Sequence, residues 1–109
     1  MKSIYIAGPM SNLPEFNYPA FFRAEERLSQ KWHVFNPARM DGMDTTGLRG
    51  HLSEVPEFSL RLAMQRNCAA ICQCDAIYML QGWQHSRGAK VELALAEYLG
   101  LEVSYEPSN

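Results

Sequence analysis

The sequence predicts a single α/β domain, a parallel sheet of four to five strands covered by helices on both faces. Three observations lead there. Short apolar runs alternate with stretches of helical periodicity, in the order β-α-β-α-β-α-β. A helical stretch separates each apolar run from the next, so consecutive strands are joined by crossovers in a parallel sheet. The chain has 109 residues, 47% of them apolar, which suits one domain (1–109) with one modest core.

Residues 3–7, Ser-Ile-Tyr-Ile-Ala, read as a buried strand ended by Gly8-Pro9. Asn17 opens a helix with Pro19 in its first turn, where proline is tolerated. Tyr18, Phe21, Phe22, Ala24 and Leu28 form its apolar face, and Glu25, Glu26, Arg27 and Lys31 its wet face. Trp32 to Phe35 is a second strand, stopped by Asn36-Pro37. Residues 37–55 show no periodicity, and so long a loop in a small domain reads as a substrate lid. A helix over roughly 57–73 follows, with Phe58, Leu60, Leu62, Ala63, Cys68, Ile71 and Cys72 expected to be mostly buried. Asp75 to Leu80 is the third strand, and Gln81 to His85 a loop. Ser86 begins a helix that runs to about Leu99, with Gly100 as its stop. Leu101 to Tyr105 is the last strand, followed by a polar tail. Right-handed crossovers leave few topologies, and the flavodoxin-like order 2-1-3-4, a three-layer sandwich, is the one expected.

Bulk properties exclude several functions. The net charge is −2 and the ten basic residues are scattered, which argues against a nucleic-acid polymer or an anionic membrane as partner. No apolar run is long enough to span a bilayer, and Met1 to Ile6 reads as a strand rather than a signal peptide. A cytoplasmic location is expected. Cys68, Cys72 and Cys74 are an odd number bunched within seven residues, without a histidine nearby. They read as buried, inert thiols rather than as disulfides or metal ligands. No metal and no cofactor is expected.

Ligands of parallel sheets sit outside the carboxyl ends of the strands. Gly8, Asn36 and the segment Gln81 to Gly88 all lie on that edge. Ser86-Arg87-Gly88-Ala89 opens a helix, whose first turn presents unpaired N–H groups and a positive dipole end to an anion. Gly88 allows close approach of a ligand to the backbone. Ser86 can bind a phosphate or serve only as an N-cap. Glu92 follows six residues later, roughly 9 Å along the helix axis. That is near the span from a 5′-phosphate to the anomeric carbon of its sugar. A carboxylate there can attack that carbon, or it can be an ordinary surface charge. Its alignment with Leu95, Ala96 and Leu99 favours the first reading, at the end of an apolar stripe near a pocket mouth. Tyr5 can orient Glu92 through its hydroxyl or simply fill the core. Trp83 can stack on a base or cover the core. Asp75 lies at the wrong edge of the sheet and reads as a structural cap.

Taken together, Tyr5-Ile6-Ala7-Gly8-Pro9-Met10, Asn17-Tyr18-Pro19-Ala20-Phe21, Asn36-Pro37, Cys74-Asp75-Ala76-Ile77, Gly82-Trp83 and Ser86-Arg87-Gly88-Ala89 with Glu92 resemble a phage and bacterial branch of the nucleoside 2-deoxyribosyltransferase-like superfamily. The resemblance covers nearly the whole chain. It implies that Glu92 attacks the anomeric carbon and that Ser86 binds a 5′-phosphate, as in the 2′-deoxynucleoside 5′-monophosphate N-glycosidases. The transferases, which use free nucleosides, tend to carry Asp at that serine's place. The turn at Gly8, Pro9 and Met10 would line sugar and phosphate, and Asn36, Gly82, Trp83, Arg87, Gly88 and Ala89 would complete the substrate site. Relatives pair as dimers with sites completed by the neighbour, so a homodimer or higher homo-oligomer is expected. One position departs. The superfamily often has an Asp eight residues before the strand-three Asp, where it helps protonate the leaving base, and this chain has Asn67 there. An amide can touch a base but cannot deliver a proton as a carboxylic acid does. His51 or His85 can substitute, the base can be activated, or turnover can be absent. The expected function is therefore cleavage or transfer of the N-glycosidic bond of a (deoxy)nucleoside 5′-monophosphate. Glu92, Tyr5 and Asn67 form the catalytic set. The alternative is a non-catalytic protein that binds or sequesters a nucleotide.

Overall fold

The computed structural model describes residues 1–10, 13–39 and 60–108. They form four strands, β1 (Ser3–Ala7), β2 (His33–Phe35), β3 (Ala76–Met79) and β4 (Glu102–Tyr105), in one all-parallel sheet of order β2-β1-β3-β4. Three helices cover it, α1 (Tyr18–Leu28), α2 (Leu60–Cys72) and α3 (Arg87–Leu99). The expected α/β fold and its strand order are found.

The sheet divides the core into two layers, because successive strand residues point to opposite faces. Ile4, Ile6, Ala76, Tyr78 and Leu80 pack with Tyr18, Phe21 and Ala24 of α1 on one face. Tyr5, Ala7, Ile77 and Met79 pack on the other, against Ala70 and Ile71 of α2 and Ala89, Leu93 and Ala96 of α3. Each large apolar side chain so buried contributes roughly 1.5–3 kcal/mol. Tyr5 therefore belongs to the layer of α2 and α3, which decides where its hydroxyl goes.

Asp75 is a structural cap at the amino edge, where a carboxylate oxygen accepts the Ser3 N–H at 2.9 Å. Helix α3 ends as expected, with Gly100 in the left-handed region (φ 79°) and the Leu101 N–H returning to the Ala96 carbonyl at 2.9 Å. Asn17 occupies the N-cap of α1 but does not cap it. Glu15, Phe16 and Asn17 all have positive φ, and the Asn17 amide instead donates to the Pro9 carbonyl at 3.0 Å. That bond ties the loop after β1 to the start of α1.

Several expectations are corrected. Residues 37–39 are helical rather than loop, and the rest of the expected 37–55 lid lies outside the described residues, as does Phe58. Leu60 and Leu62 are exposed (71% and 62%), because α2 turns only Ala70 and Ile71 fully inward. Of the cysteines, Cys74 is buried, Cys68 is half-buried and Cys72 is exposed. The tail after β4 is anchored: the Glu106 N–H donates to Met79, and its carboxylate accepts from the Gln81 N–H (3.0 Å) and Arg27 (3.2 Å).

Candidate functional site

Three elements converge on one carboxylate. Glu92 lies on the inward stripe of α3 with Ala89, Leu93 and Ala96 and is only 6% exposed. Its neighbours Lys90 and Glu97 point to solvent. This buried stripe replaces the expected one through Leu95 and Leu99, since Leu99 is 44% exposed. Tyr5 projects from the middle of β1 and donates its hydroxyl to Glu92 Oε2 at 3.0 Å. Asn67 lies three and four residues before Ala70 and Ile71, so it shares their inward face of α2. Its Nδ2 donates to the same Glu92 oxygen at 3.3 Å. The sequence separations are 87 and 25 residues, so only the fold brings these groups together.

Asn67 thus meets the carboxylate itself, where the sequence reading put it against a base. Its carbonyl Oδ1 is buried and has no hydrogen-bond partner among the described residues. Buried polar atoms are nearly always paired, and an orphan costs roughly 1–3 kcal/mol. Cys68, the next residue, senses the same carboxylate. Its thiol is pushed up first by burial, then by the Glu92 charge, then by Cys72, so it stays protonated. The Cys74 thiol is pushed up to about 11 by burial and the nearby Asp75 charge.

The helix start that leads to Glu92 is capped by its own serine. Ser86 has extended backbone and its Oγ accepts the Ala89 N–H at 3.1 Å, a standard N-cap. The cap does not use up the hydroxyl, which still has a proton to donate. It does commit the Ala89 amide, and Ala89 is 2% exposed, so Ala89 is not a phosphate donor. Lys90 N–H closes onto the Ser86 carbonyl at 3.1 Å. The amides that precede it, Arg87 and Gly88, are those a helix leaves without intrahelical acceptors. A Cβ placed on Gly88 would meet nothing within 4 Å among the described residues, which leave the space beside this turn open.

Other expected substrate contacts have structural work instead. A Cβ on Gly8 would fall 2.8 Å from Leu80 Cβ, so glycine is required there by strand-edge packing. Gly82 has φ +87° and sits beside Pro9, so the loops after β1 and β3 touch. The side chain of Met10 packs with the α1 layer. Trp83 packs against the other layer, its ring 5.8 Å from that of Tyr105, so it covers the core. Asn36 is buried with both ends occupied: Nδ2 donates to Glu25 at 2.9 Å and Oδ1 accepts the Ala38 N–H at 2.9 Å. Arg87 and His85 are exposed, and His51 lies outside the described residues. Sequence reading missed the Asn67–Glu92 bond and the Glu25–Asn36–Arg39 cluster. Each joins residues from different elements, which periodicity alone cannot pair.

Among the described residues no helix is long and apolar enough to cross a membrane, and no cluster of His, Cys, Asp or Glu could hold a metal ion. A family model described as Domain of unknown function (DUF4406) matches residues 2–105. No curated protein matches the chain.

Proposed function

The chain belongs to the DUF4406 family, and we propose that it cleaves or transfers the N-glycosidic bond of a (deoxy)nucleoside 5′-monophosphate. The observation that carries this reading is a buried carboxylate on Glu92 held by Tyr5 at 3.0 Å and Asn67 at 3.3 Å, one helix turn and a half below an open helix start. A carboxylate removed from solvent and fixed by two donors is oriented for attack rather than for solvation. The resemblance to the nucleoside 2-deoxyribosyltransferase-like superfamily supports the same assignment.

In this reading the 5′-phosphate sits on the Ser86 hydroxyl and the amides of Arg87 and Gly88. A Glu92 oxygen bonds to the anomeric carbon as the bond from that carbon to the base breaks, and the electron pair leaves with the base. Water, or a second base, then displaces the carboxylate. With water the products are sugar phosphate, free base and a regenerated Glu92, and the proton that water gives up balances the one the departed base takes from solvent. Tyr5 and Asn67 keep the carboxylate in place through both steps. Completion of the site by a second copy of the chain belongs to the same proposal.

The second reading is sequestration of a nucleotide without turnover. Asn67 favours it, because an amide stands where a proton donor would assist departure of the base. The two readings separate when the protein is incubated with each nucleoside and deoxynucleoside 5′-monophosphate and free base is measured. Release that is lost in Glu92→Gln supports catalysis. Release that survives that substitution overturns the nucleophile. Binding without release in the unaltered protein leaves sequestration.

A further inference from the structure

We propose that Glu106 is a positioning residue for phosphate binding, a clamp through which the tail after β4 holds the segment from Gln81 to Ser86. This inference rests on the glycosidic reading above, which puts a 5′-phosphate on Ser86. The carboxylate joins two elements. Its Oε1 accepts the Gln81 N–H at 3.0 Å, and its Oε2 accepts from Arg27 of α1 at 3.2 Å. Arg27 also donates to the Tyr78 hydroxyl of β3 at 3.3 Å, so the carboxylate is itself oriented from behind. The clamp stands where the regular bonding of the sheet stops. The Leu80 N–H still donates to Ala7 of β1, and the Glu106 N–H to Met79 of β3, each at 2.8 Å. Continued, the parallel ladder would give the Gln81 N–H a main-chain carbonyl of the neighbouring strand. A side chain takes it instead.

Two further contacts lie beside that bond. Gln81 Nε2 donates to the Pro107 carbonyl, and the rings of Trp83 and Tyr105 have their centres 5.8 Å apart. Three consecutive tail residues, Tyr105, Glu106 and Pro107, thus grip Gln81 and Trp83. From there to Ser86 the segment is short and bonded to itself. The Trp83 N–H donates to the Leu80 carbonyl at 3.2 Å, the His85 N–H to Gly82 at 3.0 Å and the Ser86 N–H to Trp83 at 3.0 Å. A displacement at Gln81 is therefore passed on to Ser86 rather than absorbed by slack chain. Glu92 sits farther along α3, on the stripe with Ala89, Leu93 and Ala96 that packs against the sheet. Loosening the tail is therefore expected to cost phosphate binding and to leave the carboxylate in place. Small misplacements of a binding group are enough to matter.

Calorimetry in a Glu92→Gln background tests this without turnover. The probes are each nucleoside and deoxynucleoside 5′-monophosphate and the matching unphosphorylated nucleoside. Added Glu106→Ala is expected to weaken monophosphate binding about tenfold, the scale of one hydrogen bond, and to leave nucleoside binding within about twofold. Glu106→Gln keeps a carbonyl oxygen for the Gln81 N–H and is expected to recover most of the loss. In protein that retains Glu92, the same alanine substitution is expected to raise KM for the monophosphate and keep kcat. Unchanged monophosphate affinity in Glu106→Ala would overturn the clamp. So would a lower melting temperature with both ligands weakened alike and no recovery in Glu106→Gln, since Glu106 would then be an ordinary structural residue. Either result leaves the glycosidic function standing where Glu92-dependent release of base is seen. Absence of that release removes the glycosidic function, and the loss and recovery of monophosphate binding still decide the clamp. Binding of neither ligand class by the unaltered protein overturns both.

Discussion

Two carboxylates in this molecule each face an asparagine amide, on opposite sides of the sheet, and their surroundings differ. Glu25 of α1 accepts from Asn36 Nδ2 at 2.9 Å and from Arg39 Nε and Nη2 at 3.2 and 2.6 Å. Its asparagine is also occupied at the other end, by the Ala38 N–H. Every group in that cluster has a partner and a cation balances the charge, which is how a structural ion pair is built. Glu92 accepts from a phenol and from an amide whose carbonyl end has no hydrogen-bond partner among the described residues. The same residue pair, Glu with Asn, thus sits in a fully partnered ion-pair cluster in one place and, in the proposed reading, at the reacting centre in the other, and the neighbours make the difference.

Charge-removing substitutions give the widest separation. Glu92→Gln is expected to lower base release by at least about 1,000-fold, with the urea midpoint unchanged or raised, since a buried charge is removed. Glu25→Gln is expected to leave turnover per folded molecule intact and to cost about 1 kcal/mol of stability. Chromatographic base release and urea titration of both variants check this, and similar activity losses in the two would erase the distinction.

The glycines divide in the same way, with a smaller effect. Gly8→Ala places a methyl 2.8 Å from Leu80 Cβ, and overpacking of that kind costs roughly 1–3 kcal/mol. A melting temperature lower by at least about 4 °C is expected. Gly88→Ala meets no neighbour among the described residues, and alanine is the better helix former, so the melting temperature should hold or rise slightly. Its methyl instead enters the space where a phosphate would approach, and KM for the monophosphate is expected to rise about tenfold with kcat little changed. Equal melting temperatures for the two variants would contradict the packing assignment of Gly8.

Much of this was legible in the sequence because it is periodic or local. The apolar runs and crossovers placed the strands and their order, and Ser86 followed by a helical stripe placed the N-cap. Glu92 stood out as a carboxylate on an apolar stripe. What was not legible depends on which elements pack together. Asn36 follows a strand at the ligand edge just as Gly82 does, and nothing local shows that α1 offers it Glu25. Leu60 and Leu62 carry core-forming side chains, but α2 presents only its later turns to the sheet. Gly8 stands at the ligand edge, and nothing local shows that Leu80 fills the space a side chain there would need.

The asparagines sharpen the comparison further. Asn36→Ala removes the cap of residues 37–39 and a partner of Glu25, so a loss of about 1–2 kcal/mol is expected. Asn67→Ala removes one hydrogen bond and an orphaned carbonyl together, and these nearly offset. Its stability should stay within about 0.5 kcal/mol of the unaltered protein while Glu92-dependent turnover falls. Urea denaturation of both variants decides it, and a larger loss at Asn67 than at Asn36 would make Asn67 a structural residue.

The smallest effect concerns acid. Burial pushes the Glu25 carboxyl up, but the Arg39 hydrogen bond, the Asn36 hydrogen bond and the Arg39 charge together outweigh it and hold the group below its ordinary 4.5. A carboxyl depressed in the folded state stabilises the fold while it is ionised. That contribution is complete above the unfolded value and is lost as pH falls through the lower folded value. The Arg39 side chain is 56% exposed, so the pair is worth only roughly 0.2–1 kcal/mol. Denaturation midpoints measured from pH 7 to about 3 should fall more steeply on the acid side in the unaltered protein than in Arg39→Met, and added salt should narrow the gap. Parallel curves for the two proteins would mean that Arg39 lends Glu25 nothing, and the fully partnered cluster would lose its place as the structural counterpart of Glu92.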